Sequence, residues 1–150
     1  MVAQQVIRVR DLKRGDMAAI LDIEYRSFKD PYPLSLLNHL YSLHPDGFLV
    51  AELNEKVVGY VIGVVRWGAT GHVLAIAVDP PYRRHGVGSA LIVNMLNRLH
   101  EKGAKEVRLE VRVSNKVAQQ FYQKLGFIQR EIVPGYYSDG EPAIVMFYRF

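Results

Sequence analysis

The chain has 150 residues, 49% of them hydrophobic, and carries a formal net charge of +4 with no cysteine. This length predicts one compact domain over residues 1–150, and the lack of cysteine excludes disulfides, a catalytic thiolate and cysteine-ligated zinc. The positive charge would suit a polyanionic ligand.

No segment has the pattern of a signal peptide or of a membrane span. We therefore expect a cytoplasmic protein without a membrane partner. No basic stretch is interleaved with exposed aromatic residues, as stacking on nucleotide bases would require. Specific nucleic acid is accordingly not an expected partner.

Apolar spacing and turn signals divide the chain into strands and helices. In chain order, the predicted elements are a strand at 5–10, helices at 17–28 and 34–43, strands at 48–53, 56–66 and 72–79, a helix at 86–101, a strand at 106–113, a helix at 115–124 and strands at 127–137 and 142–149. Asn54 and Glu55 signal a hairpin between two of these strands. The order predicts a mixed α/β sheet with helices on both faces.

The most informative segment is Arg-Arg-His-Gly-Val-Gly at 83–88, between a predicted strand and a predicted helix. Gly86 and Gly88 would let a phosphate approach the backbone, and the N–H groups of the first helical turn would bind it. A P-loop requires Lys and Ser or Thr after its last glycine, and a Rossmann loop requires a small residue where Leu91 stands. Neither pattern is met.

The spelling Arg-x-x-Gly-x-Gly resembles the coenzyme A pyrophosphate loop of the GNAT acetyltransferase superfamily. The resemblance covers residues 6–148 and continues through 109–115, Phe121-Tyr122 and 125–127. Segments 71–73, 76–78 and 136–143 are similar to the protein N-terminal acetyltransferases of the RimI-like and archaeal Ard-type branch. The family implies a GNAT fold, a mixed and mostly antiparallel sheet of about seven strands that is splayed between the strands at 72–79 and 106–113.

The resemblance implies acetyl-CoA as the cofactor, held in this splayed region. Its pantetheine arm would pair with the backbone of 76–78, and its pyrophosphate would bind the amides of 84–89. The expected coenzyme-binding residues are Ile76, Ala77, Val78, Arg83, Arg84, His85, Gly86, Val87, Gly88, Ser89 and Asn115. The plainer alternatives are core packing for 76–78, solvated surface for the two arginines and a helix cap for Asn115.

Three residues are implied as catalytic. Glu110 is the first candidate for the base, acting through a water, and its alternative is a strand carboxylate paired with Arg108 or Arg112. His72 is the second candidate base, or else a structural histidine. Tyr122 is the proposed acid, or else a core aromatic residue. Glu110 and His72 could relay a proton or capture an adventitious metal ion, and no functional metal is expected.

The segments that resemble the family's peptide-binding loops supply the candidate acceptor site. Its residues are Phe28, Asp30, Pro31, Tyr32, Tyr136 and Tyr137. Their aromatic rings and phenol groups could enclose a small first side chain and bond the peptide backbone, with ordinary packing as the alternative. Glu24 is unusual because it lies on an apolar helical stripe, where it would either pair with a buried partner or face the amine.

The implied activity is transfer of acetyl from acetyl-CoA to the first residue of protein or peptide substrates, directly within a ternary complex. Transient association with the ribosome is a further expectation. Two alternatives remain open: a GNAT enzyme that acetylates lysine side chains or small-molecule amines, and a non-catalytic acyl-CoA-binding module.

Overall fold

The computed structural model describes residues 6–150, so Gln5 of the predicted first strand lies outside the described residues. The elements are β1 (Arg8–Asp11), α1 (Met17–Ser27), α2 (Leu34–Leu43), β2 (Phe48–Leu53), β3 (Lys56–Arg66), β4 (Thr70–Val78), α3 (Val87–Glu101), β5 (Glu106–Arg112), α4 (Lys116–Lys124), β6 (Ile128–Val133) and β7 (Ala143–Arg149). Their type and order are those predicted from the sequence.

The seven strands form a sheet in the order β1-β2-β3-β4-β5-β7-β6. The β4–β5 pair is parallel, whereas β1–β2, β2–β3, β5–β7 and β6–β7 are antiparallel. The pairing of β4 with β5 runs from Thr70↔Glu106 to His72↔Arg108. In the described chain, β4 continues to Val78 without further pairs on that side. The predicted mixed, mostly antiparallel sheet is confirmed.

The described chain divides into two compact units. The first consists of the described part of Met1–Val64 with Leu74–Arg98, and the second of Val65–Val73 with Leu99–Phe150. Among residues 6–150, no helix combines the length and the apolar character that a bilayer crossing requires.

In the first unit, β3 contacts helices on both of its faces because its side chains alternate. Tyr60 and Ile62 belong to a buried cluster with residues of α1 and α2, among them Ile20, Ile23 and Leu37. Two glycines that flank these residues face α3: a Cβ at Gly59 would lie 3.1 Å from the Leu91 side chain, and one at Gly63 would lie 2.7 Å from that of Met95.

The turn between β2 and β3 shows why the hairpin was predictable. Asn54 and Glu55 have φ angles of 50° and 66°. Both therefore adopt the left-handed conformation of a two-residue type I′ turn, which Asn tolerates better than most residues.

In the second unit, β5 separates an apolar face from a charged face. Val107, Leu109 and Val111 are buried, whereas Arg108 and Glu110 project from the opposite side. The predicted alternation is confirmed for the observed strand.

The predicted strand at 127–137 is too long, because β6 ends at Val133. Pro134 follows and has no N–H group to donate to the ladder. Gly135 then adopts a φ of 62°, which turns the chain out of the extended conformation.

Gly47 is expected to tolerate no side chain. A Cβ at this position would lie 2.4 Å from the backbone oxygen of Gly63, which cannot rotate away. Gly47→Ala should therefore lower the free energy of unfolding by about 2 kcal/mol, measured by urea denaturation. Gly15→Ala is the matched control, since a Cβ at Gly15 meets nothing within 4 Å. Equal stability of the two variants would contradict this account of the packing.

Candidate active site

The glycine loop forms a backbone cradle at the start of α3. Arg84 and Gly86 have φ angles of 66° and 83°, and Ala90 N–H donates to the Gly86 carbonyl at 3.1 Å. The amides of 87–89 precede that bond and have no acceptor within the helix. A Cβ at Gly86 would meet only Ile7, at 3.8 Å, so the loop is open on its outer side. The cradle fits an anion such as a pyrophosphate.

Arg83 connects the glycine loop to β4, because its Nε donates to the Val78 carbonyl at 3.0 Å. Arg84 and His85 are exposed on the loop. On β4, Ala77 is buried, while Ile76 and Val78 are half-buried. These positions are compatible with the expected split between core side chains and a ligand-binding backbone.

The second unit brings His72 and Glu110 into direct contact. His72 Nε2 lies 2.8 Å from Glu110 Oε1 and 3.1 Å from Oε2, and each side chain is 9% exposed. Arg108 Nε donates to the same carboxylate at 2.7 Å. Burial opposes ionisation of Glu110, but the bonds from His72 and Arg108 outweigh it and hold the pKa of Glu110 below its usual value. Glu110 is therefore a stable anion near neutral pH.

The second nitrogen of the His72 ring has no partner. Nδ1 is buried and makes no hydrogen bond within residues 6–150. When Nε2–H donates to Glu110, Nδ1 carries the lone pair of the ring. The contact with Glu110 then fixes both the tautomer and the orientation of the ring.

The chain between β6 and β7 brings two tyrosines to this pair. Burial and then the charge of Glu110 raise the pKa of Tyr136. Burial and then Tyr136 raise the pKa of Tyr137 to about 12. Both phenols remain protonated at neutral pH, so they can donate hydrogen bonds.

Arg112 of β5 binds the segment between β6 and β7, residues 134–142, which we call the aromatic loop. Its Nη1 contacts Asp139 at 3.0 Å and Glu141 at 2.8 Å, and its guanidinium lies 4.0 Å from the centre of the Tyr137 ring. Glu141 also accepts from Ser114 N–H at 2.8 Å. The aromatic loop is thus fixed by charged contacts.

Tyr122 on α4 is buried and packs against Phe121 and Phe127, with ring centres 5.1 Å and 5.6 Å away. Burial, with a smaller effect of Tyr137, raises the pKa of Tyr122. Asn115 caps this helix, because its Oδ1 accepts from Ala118 N–H at 3.1 Å. The capping role considered for Asn115 is present, and a ligand contact is compatible with it.

In the first unit, the segment between α1 and α2 is held by Glu24. This residue is 2% exposed, accepts from Tyr32 N–H at 2.9 Å and also accepts from Tyr60 OH. Tyr32 OH in turn donates to the Leu74 carbonyl at 3.3 Å. Of the two roles considered for Glu24, the structure supports pairing with buried partners.

The structure thus brings His72, Glu110 and Tyr136 together, and places Tyr122 near Tyr137. Phe28, Asp30 and Pro31 lie with Tyr32 in the segment between α1 and α2, and Phe28 is the C-cap of α1. Four residues around His72, Glu110 and the two tyrosines were not singled out as site residues from the sequence: Arg66, Trp67, Arg108 and Arg112. The alternation of β5 placed its two arginines on the face of Glu110. In residues 6–150, no group of three His, Asp or Glu is arranged to hold a metal ion.

Comparisons with known proteins identify the family of the chain. The Acetyltransferase (GNAT) family matches residues 17–127. An uncharacterized N-acetyltransferase of Methanocaldococcus jannaschii is 40% identical over 92% of this chain and 88% of its own length. An N-alpha-acetyltransferase of Sulfurisphaera tokodaii is 36% identical over 93% of this chain and 90% of its own.

A solved structure extends the likeness to three dimensions. Ard1 from Thermoplasma volcanium matches with a TM-score of 0.91 at 34% identity, covering 95% of this chain and 97% of that protein. The resemblance inferred from the glycine loop and the motifs after it is confirmed.

Proposed function

The chain belongs to the GNAT acetyltransferase family, and from that premise we propose that residues 1–150 form one catalytic domain that acetylates the α-amino group of a protein's first residue. The relatives named N-alpha-acetyltransferase and Ard1 support this assignment. The observation that carries it is the buried His72–Glu110 pair with Tyr136 against it. A proton acceptor and an aromatic loop thus meet at one place.

Acetyl-CoA is the proposed cofactor, and when bound it supplies an acetyl thioester. The amides of 84–89 would hold the pyrophosphate, with Arg84 and His85 exposed beside them and Asn115 as a further contact. The backbone of Ile76 to Val78 would pair with the extended arm as an added strand does, and one of its N–H groups would polarise the carbonyl.

The incoming ammonium must lose a proton before it can attack. We assign this step to Glu110 and His72 acting together as one base. A water held by the carboxylate takes the proton from the ammonium and passes one of its own to the carboxylate. The contact with His72 Nε2 orients that carboxylate for the transfer.

The departing thiolate needs a proton, and Tyr122 is the proposed donor. Its raised pKa keeps the phenol protonated at neutral pH, as a general acid requires. No cysteine exists to carry the acetyl group, which favours direct transfer within a ternary complex.

A substrate panel separates this activity from its alternatives. Peptides with a free N-terminus and no lysine, N-terminally blocked peptides with one lysine, and polyamines are each incubated with acetyl-CoA and followed by mass spectrometry. We expect transfer to the free N-terminus. Exclusive transfer to lysine or to polyamines would overturn the proposal, and coenzyme binding without any turnover would favour a binding module.

The glycine loop offers a test of the coenzyme assignment. Gly86→Ala places a side chain at a φ of 83°, and Gly103→Ala does the same at 97° on a different loop. Each should lose about 1 kcal/mol of stability from the left-handed backbone. Only Gly86→Ala should raise the KM for acetyl-CoA, by about tenfold, because the cradle must shift. Equal KM values for the two variants would remove the loop from the coenzyme site.

The cellular setting follows from the proposed substrate. Nascent protein N-termini emerge at the ribosome, so we place the enzyme in the cytoplasm and infer transient contact with ribosomes, favoured by the net charge of +4. Co-sedimentation of the protein with ribosomes at low salt, lost at high salt, is the expected result.

A further inference from the structure

A tryptophan occupies a backbone position that seldom accepts one. Trp67 and Gly68 join β3 to β4 with φ angles of 51° and 82°, the conformation in which Asn-Gly or Gly-Gly is typical. A bulky residue at positive φ is rare. Trp67 is also 61% exposed, so burial of its ring does not explain its presence. Strain of this kind points to a role in binding.

The indole of Trp67 lies against the His72 ring and contacts two guanidinium groups. Its centre lies 5.3 Å from that of the His72 ring, and its distances to the Cζ atoms of Arg66 and Arg108 are 5.1 Å and 5.7 Å. Both are within the range of a cation–π contact. Trp67 is thereby the neighbour through which Arg66 is held near His72.

The two arginines differ in whether a carboxylate lies within ion-pair distance of the guanidinium group. Arg108 donates to Glu110 and lies 3.8 Å from Glu131. Arg66 has no carboxylate within ion-pair distance among residues 6–150. Stacking on a ring orients a guanidinium while leaving its N–H groups available for a planar anion. Arg66 is therefore a positioned cation whose charge no acidic side chain of the described chain neutralises.

We propose that Arg66 and Trp67 form a specificity site that binds an acidic side chain near the N-terminus of the acceptor. This inference rests on the proposed function, because it takes the α-amine to be at His72. Asp or Glu of the acceptor would accept hydrogen bonds from the Arg66 guanidinium, and Trp67 would hold that guanidinium in place. The site thus selects for a negative charge downstream of the acetylated residue.

The distances decide which acceptor residues can reach the site. The centre of the Trp67 ring lies 5.3 Å from the centre of the His72 ring and 5.1 Å from Arg66 Cζ. These two distances together set the greatest separation between the Arg66 guanidinium and the His72 ring. An extended peptide advances about 3.3–3.6 Å per residue. The carboxylate of an acidic residue at position two, three or four therefore spans this gap when the amine lies at His72.

The test compares peptides that differ only in one charge. One series carries a single Glu at position two, three or four, and the matched series carries Gln there. We expect the wild-type enzyme to prefer Glu over Gln by about tenfold in kcat/KM at one of these positions, as a bond to a charged group provides. Arg66→Gln should abolish this preference, so that the Glu and Gln peptides of each matched pair have the same kcat/KM.

Two further variants complete the experiment. Trp67→Gly relieves the positive φ and removes the ring, so it should reduce the preference for Glu while the protein remains folded. Arg149→Gln removes the same charge at the far end of β7 and should keep the full preference.

Three results would overturn the inference. The first is a wild-type ratio near one at every position. The second is an Arg66→Gln variant that retains the preference, and the third is an equal loss of preference in Arg149→Gln. Absence of turnover with all peptides, Gln series included, would instead overturn the proposed function and this inference with it.

Discussion

Replacement of Glu110 by glutamine is expected to lower kcat for an N-terminal peptide by about 10²–10³-fold. Glutamine can still contact His72, but it has no negative charge and cannot take a proton from a water. The coenzyme contacts proposed for the glycine loop are untouched, so the KM for acetyl-CoA should change by no more than about twofold. Steady-state kinetics with one peptide and varied acetyl-CoA measures both quantities.

Glu131→Gln is the matched control for this experiment. Glu131 lies 3.8 Å from the same Arg108 but is 54% exposed, and it loses the same charge on substitution. Its kcat should stay close to that of the wild type. A wild-type maximum in Glu110→Gln, with activity lost in His72→Asn, would transfer the base role to His72 alone.

The second large effect is expected at Glu24. Glu24→Ala removes the acceptor of both Tyr60 OH and Tyr32 N–H, leaving buried donors without partners and a cavity beside them. We expect the free energy of unfolding to fall by about 3 kcal/mol. Glu24→Gln should cost less than about 1 kcal/mol, because the amide oxygen can still accept from Tyr32 N–H while the amide NH2 group donates to the Tyr60 hydroxyl oxygen. Urea denaturation distinguishes the two variants.

The stability difference between the wild type and Glu24→Gln should depend on pH, with a defined sign. Burial raises the pKa of Glu24, although its bonds to Tyr60 and Tyr32 oppose the shift. The unfolded carboxyl titrates near about 4.3, so the folded state binds the proton more tightly. The contribution of Glu24 to stability is therefore largest below the unfolded value and declines as pH rises through the folded pKa. Glu24→Gln should gain on the wild type as the pH rises from the unfolded value through the folded pKa, and a constant difference would contradict the shift.

A positioning role for Glu24 predicts more than lost stability. Tyr32 belongs to the candidate acceptor site, and its backbone is fixed by Glu24. Glu24→Ala assayed well below its unfolding temperature should therefore raise the KM for the peptide, and Glu24→Gln should restore it. An unchanged peptide KM in folded Glu24→Ala would make the residue purely structural.

Local patterns made most of the fold predictable. The alternation of β5, the Asn54-Glu55 turn and the glycine loop each depend on neighbours in the sequence, and each is present in the structure. The end of β6 was misjudged because apolar residues continue the strand pattern while Pro134 interrupts the ladder. Such boundaries depend on single residues, which periodicity averages out.

The candidate site was only partly predictable for a different reason. Glu24 and Tyr60 are 36 residues apart, and His72 and Glu110 are 38 apart, so no spacing rule relates them. Trp67 was missed because an exposed aromatic residue in a turn belongs to no helical or strand pattern. Its importance emerges only when its φ angle and its contact with His72 are known.

The contacts of Arg112 with Asp139, Glu141 and Tyr137 have a consequence for the thermodynamics of acceptor binding. A mobile loop loses conformational entropy when it closes on a ligand, at about 0.5–1.5 kcal/mol for each immobilised side chain. Here the aromatic loop reaches its ordered state on folding. Peptide association should therefore be close to rigid docking, with little added protection of residues 134–142 from hydrogen exchange.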